Sequence, residues 1–370
     1  MHAPIPISLI HLDRMTDSTG MIQHAIYSVP RRESGYTIDD NARALRLCVR
    51  LCAREPDEAM LSRLTLYLSL LEYARRPGGG FHNLMSYQRQ WLDTDASGDC
   101  QGQAVLALAE VLGSDLPHDY RTFAQELIAT ALPTLAELRS LRAQAYVLLA
   151  CGHLWAEEAP VSEKLERVAW GAARHLGECY QRSRRPDWHW FESRMTYANA
   201  VLPHALFIAA RRWPDEGFLA IARESFAHLE DRTTAEGLFW PVGNNGWYSH
   251  GEPKAEYDQQ PVEASTMADA ALAAYGLTGD ERYLATLRRA FGWFHGENSL
   301  GQPLADACSG ACCDGLQRSG VNRNQGAEST LAYLWTELHF RQSQGVNSSP
   351  TPPPERRTLH IKAEETAHAG

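Results

Sequence analysis

Six short polar motifs stand directly ahead of Ala/Leu-rich helical runs, and four of them carry an acid. They are Asp39-Asp40-Asn41, Asp99-Cys100-Gln101-Gly102, Leu141-Arg142-Ala143-Gln144, Thr196-Tyr197-Ala198-Asn199, Gln260-Pro261-Val262-Glu263 and Asn324-Gln325-Gly326-Ala327-Glu328. Carboxyl groups working in pairs cleave glycosidic bonds: one protonates the leaving oxygen, the other activates water or attacks the sugar. Asp40, Glu263 and Glu328 are the leading candidates for that chemistry. Glu192, flanked by Trp190, Phe191 and Arg194, is a reserve general acid, because an aromatic shell would desolvate it and raise its pKa. Each acid also has a plainer reading, since a carboxylate in a first helical turn interacts well with the free N–H groups there. Of Asp39 and Asp40, one is expected to serve the helix end and the other to face the site, with Arg43 one turn on to hold it ionised.

The loops ahead of these helices are rich in aromatic and amide side chains, among them Phe81-His82-Asn83, Trp188-His189-Trp190-Phe191 and Asn244-Asn245-Gly246-Trp247. Aromatic faces stack on the C–H faces of sugar rings, while amides, acids and Arg bind hydroxyls. Asp39, Asn41, Asp99, Trp190, Asn199, Trp247, Gln260 and Asn324 are therefore expected to shape a carbohydrate site. No Walker-type loop, HExxH motif or nucleophile elbow is found. The Cys308, Cys312, Cys313 stretch lacks paired CxxC spacing and a nearby His, so no metal is expected. Hydrolysis of this kind needs no cofactor.

What positions such motifs is a ring of helices that all start at one end. The motifs lie on average about 60 residues apart, enough for two helices and two connections. Period-3.6 patterns run over 41–53, 60–74, 101–112, 120–131, 142–155, 162–180, 198–212, 218–229, 263–277, 281–294 and 327–340, and a segment within 7–25 supplies a twelfth. Helices behind the motifs are rich in small residues, as in Ala264 to Gly276, which reads ASTMADAALAAYG. Their partners carry charges, such as Arg282, Arg288 and Arg289. Small residues suit an inner ring and charged ones an outer ring. The expected architecture is an all-α (α/α)6 toroid over residues 1–341, one domain, followed by a disordered Pro-rich tail over 342–370.

Composition narrows the partners. In 370 residues a net charge of -10 argues against a nucleic-acid backbone, and 44% hydrophobic with 22% charged residues is an ordinary globular balance. No apolar run approaches the ~20 residues of a membrane span, and the first residues do not form a secretory signal. Eight cysteines in this length read as reduced thiols, and a cytoplasmic location is expected.

The layout resembles (α/α)6-barrel carbohydrate-active proteins, a group that includes inverting glycosidases, unsaturated-glycuronyl hydrolases and sugar 2-epimerases. More narrowly, Asp17-Ser18-Thr19-Gly20, Gln23-His24-Ala25, Gly35-Tyr36, Asp39 through Ala44, Gln259 through Ala264 and Asn322 through Thr330 are similar to a bacterial group found beside or fused to glycosyltransferases. That group often carries Asp at the position of Ala198 and His at that of Gln101. The resemblance implies a glycoside hydrolase-like enzyme acting on a bacterial oligo- or polysaccharide, with inversion, and association with a glycosyltransferase. It equally admits a sugar 2-epimerase using His as acid and base, for which His82, His189, His204, His250 and His295 are available, or a non-catalytic glycan-binding module.

Overall fold

A computed structural model of the chain describes residues 7–53, 57–95, 97–155 and 160–346. Among them are twelve α-helices: α1 (Ile10–Met15), α2 (Ile38–Cys52), α3 (Glu58–Tyr73), α4 (Gly98–Leu112), α5 (His118–Leu135) and α6 (Leu141–Leu154), then α7 (Pro160–Ser183), α8 (Val201–Arg212), α9 (Phe218–Arg232), α10 (Pro261–Thr278), α11 (Arg282–Phe294) and α12 (Ala327–Val346). The even-numbered helices pack each against the next, and α12 packs on α2, so they close a ring. Outside it α3, α5, α7, α9 and α11 each lie against the inner helix before or beside them, and α1 lies against α12. This is the (α/α)6 toroid.

The sequence explains which ring each helix joins. In α4 every residue from Cys100 to Leu112 is buried, as befits a helix surrounded on all sides, and its Ala and Gly residues let its neighbours approach closely. α3 buries only Met60, Leu64, Tyr67, Leu68, Leu70 and Leu71, a single stripe that leaves its other face to water. Helix starts are fixed by caps: the Ser97 and Ser140 hydroxyls accept the Cys100 and Ala143 N–H groups, and Pro261 occupies the first turn of α10. Among the described residues strands are confined to six two-stranded ribbons in the loops.

Two expectations about extent need adjusting. The N-terminal partner helix is only six residues long, because after Met15 the chain turns into bridges that pair Thr16 with Met21 and Ile22 with Tyr36. At the other end α12 continues to Val346, five residues past the expected boundary at 341. The rest of the expected tail, 347–370, lies outside the described residues. Among the described residues no helix is long and apolar enough to cross a membrane.

Towards their C-terminal ends three of the inner helices, α2, α4 and α6, are tied by one buried carboxylate. Glu110 on α4 is bonded by Arg46 at 2.7 Å and Arg50 at 3.1 Å, both on α2, and lies 3.4 Å from His153 on α6. Burial alone would raise its pKa. The two guanidiniums and the imidazole outweigh that and hold it down at about 2.

Candidate active site

All six motifs come to the opposite end, where side-chain bonds link the first helix to the last and the four motifs between them to one another. Arg43 on α2 reaches Glu328 on α12 at 3.2 Å. Asp99 at the start of α4 accepts the Ser140 hydroxyl ahead of α6 at 2.9 Å and the Tyr197 hydroxyl ahead of α8 at 2.6 Å. Arg142 on α6 donates to the Tyr197 carbonyl and to the Asn199 side chain. Asn199 in turn donates its side-chain N–H to Glu263 on α10 at 3.0 Å. Helices that start together are the geometric premise of a shared site, and these contacts meet it.

The ring opens into a cavity of about 300 Å³. Asp39, Asp40 and Glu328 line it together with Asp258, Gln259, Gln260, Asp314, Asn322 and His24. Arg43 gathers Asp39, Asp40 and Glu328. One guanidinium nitrogen lies 2.9 Å from Asp40 and 3.7 Å from Asp39, and the other lies 3.2 Å from Glu328. Below, a narrow space of about 50 Å³ follows the toroid axis, walled by Arg43, Gln103, Tyr146, Val201, Asp269 and Leu331, one from each inner helix.

These acids differ in surroundings. Asp40 is 5% exposed, and its second oxygen accepts the Thr37 hydroxyl at 2.6 Å. Burial, reinforced by the adjacent Asp39 charge, pushes its carboxyl up to about 7. Arg43 does pair with it as expected, yet does not hold it ionised, because desolvation outweighs the guanidinium. Glu328 keeps 41% of its side chain exposed. Its pKa is also raised, by desolvation within the pit against the pull of Arg43. Three carboxyls on one cation leave an excess of negative charge, so a proton is retained near neutrality.

Several residues expected to work here are placed otherwise. Glu263 does not line the cavity. Its carboxylate accepts the Ala198 N–H at 2.5 Å, the Asn199 N–H at 3.3 Å and the Asn199 side chain at 3.0 Å. Burial pushes it up to about 7 although those donors pull the other way. Glu192 does not line the cavity either; it pairs with Arg142 at 3.0 Å, and its sequence neighbour Trp190 is fully buried in the core against Phe191. Trp190 therefore cannot stack on a sugar. Asn41 and Asn199 are also fully buried. Asn41 clips Met21 and Thr37 to α2, and Asn199 holds Thr196 through both its amide groups. Asn324 accepts the Tyr27 N–H. Trp247 is half-buried beside Tyr197, and Asp99 accepts the hydroxyl of the same tyrosine; neither lines the cavity.

Asp39 and Gln260 do line the cavity. Asp258, Asp314 and His24 are not among the expected site residues, although His24 belongs to the Gln23-His24-Ala25 motif. Asp258 directly precedes the Gln259-Gln260 motif and Asp314 ends the Gly- and Cys-rich stretch, so both were adjacent to segments already noted. Asp314 accepts the Gly326 N–H at 2.7 Å, which ties that loop to the start of α12.

No protein-family model matches the chain, and no curated protein matches it by sequence. Solved structures share the fold. A sugar epimerase from a ruminal bacterium is 12% identical with a TM-score of 0.69, over 90% of this chain and 96% of that one. Cellobiose 2-epimerase from Spirochaeta thermophila is 14% identical with a TM-score of 0.66, over 90% and 92%. A GH76 α-mannanase from Bacteroides thetaiotaomicron is 10% identical with a TM-score of 0.66, over 92% and 94%. At these identities the likeness is one of architecture.

Proposed function

We propose that the protein is a glycoside hydrolase-like enzyme that cleaves a glycosidic bond in a bacterial oligo- or polysaccharide, with inversion. The observation that carries this reading is the convergence of Asp39, Asp40 and Glu328 on Arg43 beside a polar cavity. Asp40, kept protonated near neutrality, is the proton donor to the leaving oxygen; Glu328, open to solvent and steadied by Arg43, is the base that activates water. Asp39, Asp258, Gln260, Asp314 and Asn322 supply hydrogen bonds to hydroxyls. Glu263 acts by positioning the loop that carries Tyr197, and Glu192 through Arg142 helps to fix the same rim. The fold likeness to an α-mannanase is in keeping with this reading. Incubation with an oligosaccharide panel tests it, new reducing ends being the expected result.

Epimerisation is the second reading, favoured by the fold likeness to two epimerases and by His24 at the cavity wall. None of His82, His189, His204, His250 and His295 lines that cavity, which supports hydrolysis instead. On the same panel an epimerase would change a monosaccharide and create no reducing ends, while binding without either change would point to a glycan-binding module. We further propose a reducing, cytoplasmic setting, in keeping with eight unpaired cysteines, and association with a glycosyltransferase, which co-purification would test.

A further inference from the structure

The narrow space along the toroid axis has a mouth, a middle and a foot, set by where its walls fall on the inner helices. Val262, Ser265 and Asp269 follow one another down α10, and Glu328, Leu331 and Trp335 do so down α12. At about 1.5 Å per residue, the run from Val262 to Asp269 is roughly 10 Å deep. The mouth is shared with the cavity, because Glu328 lines both spaces. Arg43, which bonds Asp40 and Glu328, lines the lower one. The residue read as the base therefore borders the axial chamber as well as the cavity.

At the foot the polar groups are already engaged. Asp269 accepts the Trp335 indole N–H at 2.8 Å and lies 2.7 Å from His339 Nδ1, and Arg46 is held by Glu110 at 2.7 Å. The middle differs. Gln103 is 3% exposed, and its side-chain carbonyl oxygen has no hydrogen-bond partner among the described residues. A buried acceptor left in that state costs about 1–3 kcal/mol, so a donor is called for. Tyr146 and Ser265 bring hydroxyl-bearing side chains to the same level of the chamber. Its volume of about 50 Å³ takes a few water molecules at roughly 10–15 Å³ each, and is too small for a sugar ring.

We infer that the axial chamber supplies the attacking water, which Gln103 holds in line and which reaches Glu328 from beneath. This rests on the reading of Asp40 and Glu328 as acid and base, and deepens it by making Gln103 a positioning residue. A sugar filling the cavity covers Glu328 from the solvent side, whereas water arriving along the axis needs no gap in the bound ligand. In the step itself one water proton passes to the Glu328 carboxylate as the water oxygen bonds to the anomeric carbon. The glycosidic C–O bond breaks, and its oxygen takes the proton of Asp40. Water entering from below, with the leaving group departing toward solvent, puts the two on opposite faces of the ring, as inversion requires.

Kinetics of the full-length protein on the oligosaccharide that the panel shows to be cleaved test this. Gln103→Met keeps the length of the side chain but removes the acceptor, and Ser265→Leu fills the chamber. Each should lower kcat by about 10–10²-fold while KM, and calorimetric affinity for the same oligosaccharide, stay close to those of the parent. Thermal unfolding shows which variants are folded, and Leu331→Phe fills the chamber from a different helix. A high-resolution crystal structure of the parent needs no variant to fold: ordered water should lie within hydrogen-bond distance of Gln103 Oε1. A dry chamber, folded variants with the parent's kcat, or a loss of affinity that accounts for the loss of rate would each overturn the inference. Reducing ends from the parent together with unchanged kcat in the folded variants remove the axial water path and keep hydrolysis. No reducing ends from the parent remove hydrolysis, and the water path with it.

Discussion

Glu263 holds Ala198 in place: its Oε1 accepts the Ala198 N–H at 2.5 Å, and Ala198 has φ 44, a left-handed backbone that alanine adopts only at a cost of about 1 kcal/mol or more. The adjacent Tyr197 thereby keeps its hydroxyl on Asp99 and its ring under Arg142, 4.6 Å away. Glu263→Gln would turn an amide N–H toward donors that now find only oxygen, and is expected to destabilise the fold by about 1–3 kcal/mol. Thermal unfolding checks this. Turnover should fall through a disordered rim, and an unchanged melting temperature with lost activity would restore Glu263 to the chemistry.

The pH dependence of stability follows from the same carboxylate. Its folded pKa, about 7, is raised above the ordinary value of 4.5, so its contribution is fully present below about 4.5 and is lost as pH rises through about 7. Asp40, also raised to about 7, has the same sign. Chemical denaturation should therefore show stability falling between about pH 5 and pH 8. In Glu263→Gln that decline should be shallower, though not abolished, because Asp40 remains.

Asp40→Asn and Glu328→Gln should each lower turnover by about 10²–10⁴ while leaving a folded protein. Their roles separate on an aryl glycoside with a good leaving group. Protonation is then dispensable, so Asp40→Asn should recover and Glu328→Gln should not. In the parent, kcat should decline as pH rises through about 7, where Asp40 loses its proton. Recovery by the glutamate variant alone would exchange the two assignments.

The first-formed product should be of inverted configuration, read by proton NMR before mutarotation. Inversion needs carboxyls about 6.5–9.5 Å apart, which leaves room for water, whereas about 5–5.5 Å would lead through a covalent intermediate to retention.

At the far end, Glu110→Gln leaves Arg46 and Arg50 without their counter-charge. Removing one member of a buried ionic cluster typically costs about 3–5 kcal/mol, and a loss of that order is expected in denaturation at neutral pH. The parent's Glu110 pKa is depressed to about 2. The stability it supplies is present above about 4.5 and lost as pH falls through about 2.

The toroid was legible because each inner helix announces itself twice, by a polar start and by small residues all round, as in α10. The site was legible only in part. Helical phase decides which of several consecutive polar residues faces the axis, and motif position does not reveal it: in Asp39-Asp40-Asn41 the two acids reach the cavity while Asn41 turns inward to clip Met21. Asn199 is turned away in the same manner. Trp190 shows a different failure, since a tryptophan beside an acid reads equally as a sugar platform or as core, and burial settles it as core. Asp258 and Asp314 come from loops without periodicity, whose course depends on tertiary contacts such as that between Asp314 and Gly326.

Closure of the inner ring joins its first helix to its last, and that junction carries the Arg43–Glu328 ion pair. Every other inner contact links elements near one another in the sequence, whereas this one spans almost the whole chain. Loop-closure entropy makes such a contact late to form and early to open. The three carboxylates thus come together only in the completed circle. A sugar bridging Asp40 and Glu328 would act as a clasp across that seam, and should slow amide hydrogen exchange in α2 and α12 more than in the helices opposite.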